Sequence, residues 1–121
     1  MLAEKSQLDF ELEFFGELVV AQPDFCDALR AHAINLAAKG EHEESVRACQ
    51  KLAQLRPHDP DAHYNLACQY AAVRQPDMAL STLRTAIQNG FRDFRLLLQD
   101  RQFESIRRDP RFRAMLREYA G

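Results

Sequence analysis

An all-α chain, built as a short helical solenoid of antiparallel helix pairs, is predicted by three observations. The stretch Asp59 to Gly90, DPDAHYNLACQYAAVRQPDMALSTLRTAIQNG, reads as two short amphipathic helices joined by a tight turn. A shift of 34 residues lays it on an upstream stretch of the same kind, and self-similarity at a fixed period marks stacked repeats. Small, large and proline positions recur together at that period, which a helical bundle of chance spacing does not require.

Taken in order, residues 6–22 read as a helix opened by Ser6 and Asp9, placed like a capping box with Asp instead of Glu. Phe10, Phe14 and Leu18 fall on one helical stripe, and Leu8, Leu12, Phe15 and Val19 on another beside it. Two stripes are more apolar surface than one neighbouring helix covers. One is expected to pack on the first full unit. The other is covered by Met1–Lys5 or a neighbouring helix, or it serves self-association through Leu8, Phe10, Leu12 and Phe14, making a homodimer one expected assembly.

Pro23-Asp24 starts the first full unit, with a helix from Phe25 to Ala38, Gly40 in the turn and a helix from His42 to Leu55. The run Arg56-Pro57-His58-Asp59-Pro60 ends it, because two prolines prevent continuation. The second unit opens with Asp59 as N-cap and Pro60 at the first helical position, where a missing N–H costs nothing. Leu66, Ala67 and Tyr70 sit at helical spacing, Gln75-Pro76-Asp77 breaks the run, and Ala79, Leu83, Ala86 and Ile87 resume it before Gly90. Beyond Gly90, Phe94, Leu97 and Leu98 suggest a short helix and Phe103 and Ile106 another. Asp109-Pro110 then caps a last helix with Phe112, Met115, Leu116 and Tyr119 on one face.

The shift of 34 residues sets Leu66 on His32, Ala67 on Ala33, Tyr70 on Leu36, Ala79 on Ser45, Leu83 on Cys49 and Ala86 on Leu52. With these residues the chain resembles the tetratricopeptide repeat (TPR) family, whose unit is a helix–turn–helix of this period. His63-Tyr64-Asn65-Leu66-Ala67 resembles the core of the first helix, and Ala79, Leu83 and Ala86 resemble the contacts of the second. The first unit departs from the pattern at Ser45, where the family has Ala, and at His32, where it has Leu. The resemblance implies a half repeat at 6–22, repeats at 26–59 and 60–93, and a helical cap at 94–121. The order GFRDF…LLLQDRQFESIRRDPRFRAML looks like the tail that closes short bacterial TPR proteins, whose task would be to cover the last repeat.

At 121 residues the chain is expected to form one domain, since no Gly-rich or Pro-rich linker divides it. No apolar run reaches the length of a membrane span, and the first residues lack the order of a signal peptide, so a soluble cytoplasmic protein is expected. Cys26, Cys49 and Cys68 show neither a pairing pattern nor a C-x-x-C, which argues against a disulfide framework or zinc knuckle. Residues 1–25 carry six acidic residues and one lysine, whereas residues 91–121 carry eight arginines and five acidic residues.

No phosphate loop, H-E-x-x-H or nucleophile elbow is present. His32, His42, His58 and His63 lack metal-ligand spacing, so no catalytic residue, metal or cofactor is expected. Arg107, Arg108, Arg111, Arg113 and Arg117 interleave with Phe103, Phe112 and Tyr119, which suggests an alternative role in binding nucleic acid or an anionic surface. A pI near 6.1 and the helical spacing of those aromatics argue against it.

By resemblance, the first helices line a concave face that takes a peptide or partner helix. Its residues would be Asp27, Arg30, Ala31 and Ile34 from the first unit and Asp61, Tyr64, Asn65 and Cys68 from the second. The function expected is that of a scaffold or adaptor for an unidentified protein or peptide. Only Arg30 and Asn65 suit a clamp for a terminal carboxylate, and Asp27 and Asp61 stand near them.

Overall fold

A computed structural model describes residues 5–120, and every regular element in that range is helical. In chain order these are α1 (Gln7–Ala21), α2 (Cys26–Ala38), α3 (His42–Leu55), α4 (Pro60–Ala72), α5 (Pro76–Gln88), α6 (Phe94–Gln99), a 3-10 turn (Arg101–Phe103) and α7 (Pro110–Ala120). Each of the first four helices packs on the next, giving the stacked, solenoid-like all-α arrangement. The three-residue links between α2 and α3 and between α4 and α5 force antiparallel neighbours. The 3-10 turn folds back onto α4, and α7 onto α5.

Local chemistry sets the helix ends. The Ser6 hydroxyl accepts the Asp9 N–H at 3.0 Å, and the Asp59 carboxylate accepts that of Asp61 at 2.9 Å. Three helices end in the same way, with a bond spanning five residues: Glu41 N–H to Leu36 C=O, Gln75 N–H to Tyr70 C=O and Phe91 N–H to Ala86 C=O. This ending requires one residue in the left-handed region. Gly40 and Gly90 supply it twice, and Arg74 supplies it at φ 60°.

Small residues bring the helices of each pair together. Ala33, Ser45, Ala67 and Ala79 are all buried, and the Ser45 hydroxyl donates to the Ala33 carbonyl at 2.8 Å. Leu52, Leu83, Ile87, Leu97, Phe103, Ile106, Phe112 and Met115 fill the core around them. The cap is therefore part of this core. Its middle differs from the helix expected over Phe103 and Ile106: Phe103, Glu104 and Ile106 each bond three residues back, which makes a 3-10 turn followed by further turns. Asp100 starts that turn by accepting the Gln102 N–H at 3.0 Å.

On α1, Leu12 and Val19 reach the core, while Phe10 and Phe14 are more than half exposed. Leu12 is thereby withdrawn from the expected self-association set, Leu8 and Leu18 are half-buried, and of the expected cover Met1–Lys5 only Lys5 lies within the described residues. No helix in that range is long and apolar enough to cross a membrane.

Candidate functional site

A cavity of about 160 Å³ opens between α2, α3 and α4. Four of the eight residues expected on the concave face line it: Arg30, Ile34, Asn65 and Cys68. Ser45, Cys49 and Leu52 form its floor from α3, and Gln69 and Gln102 contribute amides. Small-molecule sites usually occupy about 300–1,000 Å³, so this volume suits one side chain rather than a cofactor.

Arg30 is the cavity's cationic group. One guanidinium nitrogen donates to Asp59 Oδ2 at 3.1 Å, tying α2 to the N-terminus of α4. The neighbouring Nε is buried without a hydrogen-bond partner. A buried donor left unpaired is costly, and among the described residues the Asp59 bond is the only one the structure gives this guanidinium. Half-buried Asn65 adds an amide that both donates and accepts. Ile34 is 57% exposed and supplies apolar surface beside them.

A polar chain crosses the floor. His42 Nδ1 and Gln69 Oε1 lie 3.0 Å apart, and Gln69 Nε2 donates to Gln102 Oε1 at 3.3 Å, so three segments share one network. Burial pushes the Cys49 thiol up to about 11, and it pushes Cys68 further in the same direction. Both thiols stay protonated at neutral pH and behave as apolar lining.

The remaining expected residues sit elsewhere. Asp27 and Asp61 are exposed and Ala31 is half-buried, all three outside the cavity lining. Tyr64 departs from its expected role as a free groove side chain, because it is buried beneath the cap. Its ring stacks on Phe91 with centroids 4.5 Å apart, meets Phe103 edge-on at 5.5 Å, and its hydroxyl donates to Asp100. Gln69 and Gln102 were absent from the expected set. Gln69 carries a signal in its place one residue after Cys68, whereas Gln102 reaches the cavity only because the cap folds back.

His63 Nε2 lies 2.7 Å from the Pro57 carbonyl, and no group of three or more His, Cys, Asp or Glu in the described residues could hold a metal. In the arginine-rich segment, Arg111 pairs with Asp77 and Asp109, and Arg107 donates to the Asp100 carbonyl. Phe103 and Phe112 are fully buried and present no face to a base. Arg108, Arg113 and Arg117 remain exposed.

Over 89 residues the chain is 26% identical to a curated chloroplastic protein of Arabidopsis thaliana. The match takes in 71% of this chain and 27% of that protein, so the chain spans about a quarter of the length of the curated relative it matches. No family model matches the chain, and no solved structure matches it.

Proposed function

We propose that this chain is a TPR-type interaction module that binds a peptide or partner helix across α2 and α4 and carries out no chemistry of its own. The observation that carries this reading is the convergence of Arg30, Ile34 and Asn65 on one side-chain-sized cavity. An apolar ligand side chain enters against Ile34 and Leu52, while the ligand backbone meets the accessible part of the Arg30 guanidinium and the Asn65 amide. Asp59 already engages Arg30, and Asp27 and Asp61 lie exposed on the same two helices, so a backbone carbonyl suits the site better than a terminal carboxylate.

Selection from a random peptide library on the purified chain tests the reading. Enriched peptides should share one apolar anchor and lose at least tenfold in affinity on Arg30→Ala and on Asn65→Ala. Peptides that bind both variants as well as the parent chain would overturn it.

A further inference from the structure

The outer face of α1 departs from the other helices in its register. Ser45 on α3 and Ala79 on α5 are completely buried, because the neighbouring α2 and α4 pass close over them. Ala48 and Thr82, three residues further on, are also buried. The same register on α1 places Glu11 and Phe14 at these positions, and no residue of α1 is buried. Phe14 is 53% exposed, and among the described residues no helix lies over it.

Charge decides what fits this face. Lys5 pairs with Glu13, and Lys39 reaches Asp9 at 2.7 Å, which uses both nearby lysines. Glu11 accepts only from the Gln7 amide, at 3.1 Å, and neither Glu11 nor Glu17 has a cationic partner among the described residues. A purely apolar helix laid here would strip water from Glu11 with nothing in return. A second copy of α1 would set carboxylate against carboxylate. We infer that the Phe10–Phe14 face of α1 is a docking site for a basic amphipathic helix, whose apolar side covers Phe14 and whose Lys or Arg pairs with Glu11. This surface is separate from the cavity around Arg30 and does not depend on it.

Two labelled 18-residue amphipathic peptides, one of Leu and Lys and one of Leu and Glu, serve as probes for fluorescence anisotropy on the full chain. The Lys peptide should bind and the Glu peptide should not. Phe14→Ser should weaken binding at least tenfold, and Glu11→Lys should reverse the choice of peptide. Glu43→Lys, the same charge change on the exposed side of α3, should leave it as it was. Circular dichroism verifies that each variant keeps its helices, and Glu17→Lys replaces Glu11→Lys if that variant unfolds. Equal binding of both peptides, or indifference to Phe14→Ser and to the charge reversal, overturns the proposal. So does a concentration-dependent dimer in light scattering that Phe14→Ser abolishes, since the occupant would then be a second copy.

Discussion

Tyr64 on α4 donates its hydroxyl to the carboxylate of Asp100, 36 residues away, and so fastens the C-terminal cap to the first helix of the second unit. Burial first and the Asp100 hydrogen bond next raise the phenol's pKa, so the ring stays neutral at ordinary pH. Asp100 also starts the 3-10 turn through the Gln102 N–H, so one carboxylate both shapes the cap and anchors it.

Removing the hydroxyl should loosen this fastening. Tyr64→Phe keeps the stack on Phe91 and gives up a buried bond to a charged acceptor, which should cost about 2 kcal/mol. Tyr64→Ala also loses the ring and should cost about 3–5 kcal/mol. Urea unfolding of both variants, with Asp100→Asn in a double-mutant cycle, measures the coupling between Tyr64 and Asp100.

The two full units were legible because their signals are local. Asp59, Pro60, Gly40 and Gly90 mark helix ends by their own backbone chemistry, and the observed bounds of α3 and α4 follow those marks. The cap was less legible because its conformation depends on distant partners. Phe103 and Ile106 have apolar spacing that fits a helix, yet packing against α4 and the Asp100 turn give a tighter coil. The same long-range contact hid Tyr64, whose position on α4 marks it as groove-facing until the cap covers it. Arg30, Ile34 and Asn65 were legible because their placement depends only on the helix pairs.

Ser45 stands where the second unit has Ala79, and both are fully buried, so the position accepts a methyl group. Ser45→Ala should lose only the hydrogen bond to the Ala33 carbonyl, about 1 kcal/mol. Ser45→Leu forces bulk between α2 and α3 and should cost at least about 3 kcal/mol once overpacking is added to the lost bond. Thermal melts of the pair separate the two effects.

Arg74 ends α4 at φ 60°, where Gly40 ends α2 at φ 87°. A side chain in this region costs about 1 kcal/mol relative to glycine. Arg74→Gly should therefore raise stability by about that amount, and Gly40→Ala should lower it similarly. Opposite shifts in the denaturation midpoint check both signs.

His32 lies in the contact between α1 and α2, where a methyl group on Gly16 would come 3.4 Å from its ring. Burial lowers its pKa below 6.5, Glu44 on α3 opposes that shift, and Nδ1 is buried without a partner. Because the folded value is the lower one, the unfolded chain binds the proton more readily. Stability is then full above pH 6.5 and falls as pH drops from there toward the folded value. Melting temperature should decline as pH falls below 6.5, and His32→Gln should flatten that decline.

The reading of the chain as a peptide-binding module is tested most directly by amide chemical-shift mapping of the labelled chain with a library-selected peptide. The account predicts perturbations centred on Arg30, Ile34 and Asn65, extending to Gln69 and Gln102, which line the same cavity. Perturbations confined to other faces, with these five residues unmoved at saturation, would contradict it.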